Sequence, residues 1–294
     1  MNRLLITGGT GFLGEPCVRA ALGTCEVRAV GSRDCDLLQP GAAARLIEAV
    51  RPTHLLHLAW IATPGVFWES ADNWRWLRAS QELLLTFARA GGVRAVTAGT
   101  CAEYDWTDGG TLHERDTPTR PATTYGRAKL ALCEWANALG RARGLSVSHA
   151  RLFWMYGPRE HPARLVPSVA YALLRGEPAL CSEGTQARDF LHAHDIADAL
   201  VRLVANDARG PVNVASGEAV PVREVVAHVA AATGRADLVR FGARPSANEP
   251  PVLVADVARL RNELNWSARV PLARGLGETV NWWRTRCAGE RKCG

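Results

Sequence analysis

Lysine is nearly absent from this sequence. Of 35 basic side chains only Lys129 and Lys292 are lysines, and arginine supplies the rest. The cysteines (17, 25, 35, 101, 133, 181, 287 and 293) include no C-x-x-C pair. That excludes the usual zinc and dithiol spacings, so no metal is expected, and a disulfide framework does not suit a chain of this length. No apolar run reaches the ~18 residues of a spanning helix, and the N-terminus has no basic lead-in to a long apolar stretch. A cytoplasmic protein without a membrane partner is the expectation. The net charge is +6, yet acidic residues interleave with the arginines and no basic run forms. That argues against a nucleic-acid partner.

What is present is ordinary globular material, 47% hydrophobic and 22% charged over 294 residues, ample for a sizeable core. Leu4–Ile6, Glu26–Val30, His54–Leu58, Val93–Val96 and Ser146–Phe153 read as strands. Amphipathic segments lie between them: a helix reaching Leu22, one ending at Val50, then Trp76–Ala90 and Thr124–Arg143. This alternation predicts an α/β fold, a doubly wound parallel sheet with helices on both faces. After Gly157-Pro158 short apolar stretches alternate with Pro/Gly turns, which predicts a smaller α+β lobe at the C-terminal end. The expected division is a Rossmann domain over 1–156, with 187–215 returning to it, and a substrate lobe over 157–186 and 216–294.

Gly8-x-x-Gly11-x-x-Gly14 sits between the first strand and the first helix. Glycines there allow a tight turn and close approach to a pyrophosphate, which the helix N-terminus stabilises. The end of the second strand discriminates between cofactors. Val30 runs into Gly31-Ser32-Arg33, with no carboxylate at the strand tip to hold a ribose 2′-hydroxyl. Arg33 and Ser32 suit a 2′-phosphate, which favours NADP(H) over NAD. Asp36 and Leu37 suit either the adenine edge or a plain turn.

Lys129 follows Tyr125 by four residues, so phenol and ammonium share one helix face. An ammonium ~4–5 Å from a phenol, at an effective dielectric of ~20, contributes roughly 3–4 kcal/mol. That predicts a tyrosine lowered toward neutrality and able to exchange a proton. Thr100 ends the strand before this helix; its hydroxyl either holds a substrate oxygen beside Tyr125 or caps its own turn.

With these features together the chain resembles the extended short-chain dehydrogenase/reductases of the NAD-dependent epimerase/dehydratase family. The likeness runs through Thr7–Gly14, His57-Leu58-Ala59, Asn73, Thr100–Tyr104, Tyr125/Lys129, Arg151–Phe153, Tyr156-Gly157-Pro158, Arg188-Asp189-Phe190 and Asp195. It implies Thr100, Tyr125 and Lys129 as catalytic residues, with Lys129 also on the nicotinamide ribose. Cofactor contacts are implied for Gly8, Thr10, Gly11, Phe12, Leu13, Gly14, Ser32, Arg33, Asp36, Leu37, Leu58, Ala59, Tyr125 and Lys129. It implies a nucleotide-sugar substrate touching Thr63, Cys101, Ala102, Trp154, Arg188 and Arg244, the two arginines holding its diphosphate. A homodimer through the helices near 76–90 and 124–143 is implied as well.

The departures narrow the reaction. The family's 4,6-dehydratases carry an Asp-Glu pair directly after the hydroxyl residue, where this chain has Cys101 and Ala102. Alanine cannot abstract a proton, and the cysteine that GDP-fucose synthases use is replaced by Ala102. Simple hydride transfer remains. The expected activity is NADPH-dependent reduction of the C4 carbonyl of a nucleotide-linked 4-keto-6-deoxy sugar. A nucleotide-sugar 4-epimerase with tightly bound NAD(P) and a non-catalytic NADP-sensing relative are the alternatives. Trp60, Trp68, Trp74 and Trp76 form an aromatic segment suited to a deoxygenated sugar, to core packing or to a dimer contact.

Overall fold

The apolar runs of the N-terminal half become one parallel sheet in a computed structural model that describes residues 3–245 and 250–290. Lys292, Cys293 and Glu249 lie outside the described residues. The sheet strands are β1 (Arg3–Thr7), β2 (Glu26–Val30), β3 (His54–His57), β4 (Arg94–Thr100), β5 (Ser146–Leu152) and β6 (Gly210–Val214). They lie in the order β2-β1-β3-β4-β5-β6, and every pair is parallel. Every residue of β4 and β5 is buried, as a sheet covered on both faces requires. The chain leaves β1 for β2, then crosses back past β1 to β3. That reversal opens a crevice at the carboxyl ends of β1 and β3.

The helices are α1 (Gly14–Ala21), α2 (Ala42–Val50), α3 (Asp72–Arg89), α4 (Thr124–Arg143), α5 (Leu165–Arg175), α6 (Ala193–Ala205), α7 (Val222–Thr233), α8 (Ala258–Leu264) and α9 (Leu272–Glu290). Cys17 of α1 and Leu200 of α6 join the core on one face of the sheet. Leu46 of α2, Leu83 of α3 and Leu132 of α4 join the core on the other. A third core holds Leu173 of α5, Val229 of α7 and Val280 of α9.

Two boundaries differ from the sequence reading by several residues. α3 starts at Asp72 rather than Trp76, because the buried Asn73 side chain organises its first turn. Asn73 Nδ2 donates to the carbonyls of Phe67 (2.7 Å) and Ser70 (2.9 Å), and its Oδ1 accepts from Trp60 Nε1 (2.8 Å). β4 runs on to Thr100 because it pairs with β5 as far as Leu152.

Short strands complete the fold. Trp154–Tyr156 pairs in parallel with Phe190–His192. Ala187–Arg188 lies between Val220–Pro221 and Val252–Ala255, and the last of these also pairs with Gly110–Leu112. Asn213 of β6 binds three segments: Nδ2 donates to the carbonyls of Leu112 and Asp256, and Oδ1 accepts from the Tyr104 hydroxyl.

Candidate active site

A cavity of about 750 Å³ opens at the crevice. One wall is the turn after β1. Gly8 has φ +72°, and a Cβ there would meet the backbone nitrogen of Ala59 at 2.9 Å. A Cβ on Gly14 would lie 2.1 Å from the Gly8 carbonyl oxygen. Only glycine lets this turn and the end of β3 come so close. Thr10, Gly11, Phe12, Leu13, Leu58 and Ala59 extend the same wall, and Ser32, Asp36 and Leu37 line it beyond β2. Arg33 stands exposed beside Ser32 and does not line the cavity. Asp34 turns back, accepting from the backbone nitrogen of Gly31 at 2.9 Å. The Gln39 amide and the Leu38 backbone N–H hold the Asp36 carboxyl below the usual range.

At the chemical end, the Thr123 hydroxyl caps α4 by accepting from Gly126 N (3.1 Å), and the helix carries Tyr125 and Lys129 into the wall one turn apart. Lys129 is 3% exposed. Its Nζ donates to the Ala98 carbonyl at 2.8 Å and lies 3.8 Å from the centre of the Trp60 ring, against 5.8 Å for the Tyr125 ring. Burial lowers its ammonium to about 7, with Glu103 pulling the other way. Burial pushes the Tyr125 phenol up, opposed by the Thr100 hydroxyl and Arg164. The expected lowering of the phenol does not occur in this cavity. The ammonium is itself desolvated and is held by a carbonyl and an indole face. Thr100 Oγ1 accepts from Ala102 N at 3.2 Å, so it does cap its own turn. Accepting that bond leaves its O–H hydrogen free to donate, and the residue lines the cavity.

Behind Thr100 lies a buried carboxylate the sequence reading did not single out. Glu103 Oε1 accepts from Thr100 N (2.8 Å) and pairs with His149 Nε2 (2.9 Å), while Oε2 accepts from Arg151 Nε (2.8 Å). Against burial, which pushes it up, His149 and Arg151 hold this carboxyl at about 2.

The tryptophans divide. Trp60, Trp68 and Trp76 line the cavity, while Trp74 is 45% exposed. Phe67 and Trp68 meet the Tyr125 ring edge-on, at 4.8 and 5.7 Å between centres. Across the cavity Trp106 and Trp154 lie 5.9 Å apart, and Trp106 Nε1 donates to the Cys101 carbonyl at 2.9 Å. Cys101 lines the cavity with a thiol that burial pushes up. Ala102 does not line it, because its carbonyl faces Gly126, where a Cβ would come within 2.3 Å. Thr63 is exposed, its carbonyl accepting from Val66 and Phe67 in the turn of the aromatic loop.

Neither Arg188 nor Arg244 lines the cavity. Arg188 is 2% exposed and lies behind Trp154, its guanidinium donating to the carbonyls of Ala187 and Pro250. Arg244 is exposed, and its backbone nitrogen donates to Cys181.

A sequence model described as the NAD dependent epimerase/dehydratase family matches residues 4–215. The chain belongs to this family. It is 28% identical to a UDP-glucose 4-epimerase from Azospirillum brasilense, over 96% of this chain and 91% of the relative. Among solved structures it is similar to the Thermus thermophilus UDP-glucose 4-epimerase in complex with NAD, with TM-score 0.83, 26% identity, and 96% and 99% of the two chains covered. It is also similar to MoeE5 in complex with UDP-glucose and NAD, with TM-score 0.78, 30% identity, and 97% and 99% covered.

The residues of this family member fit a nicotinamide dinucleotide on structural grounds. The glycine turn leaves backbone where a Cβ would otherwise stand, and Lys129 offers a desolvated cation at the other end of one continuous wall. Residues missed in the sequence include Trp106, Phe67, Glu160 and Arg164, all on the cavity wall. Glu160 and Arg164 follow Gly157-Pro158 closely, and that proximity was the available signal.

Proposed function

We propose that this chain is an NADPH-dependent reductase of the C4 carbonyl of a nucleotide-linked 4-keto-6-deoxy sugar. When bound, the reduced dinucleotide supplies hydride to the carbonyl carbon. Tyr125 donates its phenolic proton to the oxygen as negative charge develops there, and Thr100 orients that oxygen. The observation that carries the reading is Tyr125 itself, a phenol that burial keeps protonated, beside Cys101 rather than an acid–base pair. A protonated donor facing a carbonyl is the arrangement that reduction needs. The aromatic faces of Trp60, Trp68, Trp106 and Trp154 suit a sugar that has lost its C6 hydroxyl.

Ser32 on the wall, Arg33 beside it and Asp34 turned onto Gly31 support a 2′-phosphate rather than a bare ribose. The two solved structures named above are complexes with NAD, so the preference is the first thing to measure. The remaining roles belong to the same proposal: Gly8–Gly14, Leu58 and Ala59 hold the dinucleotide within a Rossmann part over 1–156 and 187–215. The rest of the chain, with Arg188 and Arg244, receives the nucleotide sugar, and two chains pair through α3 and α4.

The test mixes purified protein, NADPH or NADH, and a dTDP- or UDP-4-keto-6-deoxyhexose, and follows absorbance of the reduced nicotinamide. Stoichiometric oxidation, faster with NADPH, is the expected outcome. No oxidation with any nucleotide 4-ketosugar sinks the reductase. Interconversion of UDP-glucose and its C4 epimer without net NADPH consumption assigns a 4-epimerase instead.

A further inference from the structure

We propose that Glu160 acts as a neutral acid that donates a hydrogen bond to a diphosphate oxygen of a bound ligand. This rests on the reading above, in which the cavity takes a dinucleotide and a nucleotide sugar, each carrying a diphosphate. Glu160 lines the same cavity as Thr100, Tyr125 and Lys129 and is 7% exposed. Its Oε2 is enclosed by protein and has no hydrogen-bond partner among the described residues, whereas Oε1 is not enclosed in this way and is the oxygen left to meet a ligand. A carboxylate in that state carries a large desolvation penalty, whereas the protonated acid avoids it and gains an O–H to donate.

The charge that would normally neutralise Glu160 is turned elsewhere. The Arg164 guanidinium lies 5.0 Å from the centre of the Phe67 ring and donates to the Ala62 carbonyl at 3.5 Å. Burial raises Glu160 to about 8, with Arg164 pulling it down, so the acid keeps its proton at neutral pH. Asp36, Cys101, Tyr125, Lys129 and His161 also line the cavity, but Arg164 is the charge that acts on Glu160.

The backbone explains the placement. Arg159 adopts the left-handed conformation at φ +71°, which a residue with a side chain rarely takes. It pairs with Glu15 in the first turn of α1. That tie joins the segment next to Glu160 to the first turn of α1, the end at which a helix favours anionic oxygens. Beside such an oxygen a carboxylate would repel, and a neutral carboxylic acid donates.

Isothermal titration of the wild type, Glu160→Gln and Glu160→Ala tests this from pH ~6 to ~9.5, with NADPH in one arm and UDP or dTDP in the other. In the responding arm, wild-type affinity relative to Glu160→Gln falls about tenfold between pH 7 and pH 9, because the amide donates at every pH. Glu160→Ala binds that ligand more weakly than Glu160→Gln at every pH. Lys129 and Tyr125 titrate alike in both proteins, so the ratio isolates residue 160, and the responding arm identifies whose diphosphate it meets. A ratio flat with pH in both arms overturns the inference and leaves the proposed function standing. No binding in either arm overturns both.

Discussion

Lys129 is where composition and chemistry meet. Its position four residues after Tyr125 was readable from the sequence, because helix periodicity places both on one face. Its charge state was not, because that depends on what surrounds the ammonium in three dimensions. Between about pH 7 and 10.5 the unfolded chain holds a proton on this lysine that the folded, ligand-free protein does not. Stability therefore rises with pH across that window and is lowest, from this source, below it. Lys129→Met should raise the stability of the ligand-free protein at pH 6–7 by up to roughly 4 kcal/mol, the gain fading toward pH 10, while activity is lost. Chemical denaturation at several pH values measures it, and an unchanged or lowered stability at pH 6 would contradict a desolvated ammonium. Lys129→Arg keeps the charge, but the Ala98 carbonyl and the Trp60 face confine the site to a compact group. Reduction should fall by about 100-fold or more with the fold retained, as circular dichroism and initial rates would report. Glu160 had only its closeness to Gly157-Pro158 as a signal, and a glutamate among prolines in a turn reads as exposed.

At the scale of elements, β4 is more than the carrier of Thr100. Its Gly99 lies where a Cβ would come within 2.2 Å of His149 Nε2 and 2.6 Å of Glu103 Oε1. That closeness lets the Glu103–His149–Arg151 cluster form directly behind the strand end and hold the Thr100 backbone. Gly99→Ala should separate the cluster and cost about 3 kcal/mol, visible as a lower urea midpoint. A variant as stable as the wild type would mean that the cluster adapts and Thr100 is fixed by other contacts. The strands and helices of the first half were legible because their apolar periods are long and glycine or proline marks their ends. The start of α3 was not, because Asn73 sets it through contacts to Trp60 and Phe67 that no local pattern encodes. Arg188 was legible as a motif but not as a buried side chain bound to carbonyls.

At the scale of the whole molecule, the parallel sheet and the added lobe followed from alternation and texture, and the similarity to solved epimerase structures agrees with them. No helix among the described residues is long and apolar enough to cross a membrane. Pairing through α3 and α4 predicts a particle of about twice 31.8 kDa by sedimentation velocity. A single species at the monomer mass at micromolar concentration would exclude it. Asn213 carries a consequence for how this protein folds and evolves. The region matched by the family model ends at residue 215, yet the Asn213 carboxamide is held by Leu112 and by Asp256, well beyond that end. The last strand of the matched portion is thus tied to a segment outside it. The β6 amides, paired to β5, should exchange faster with solvent in Asn213→Ala, which breaks the tie to Leu112 and Asp256. A recombination event that swapped the C-terminal third for another would have to carry its own partner for Asn213.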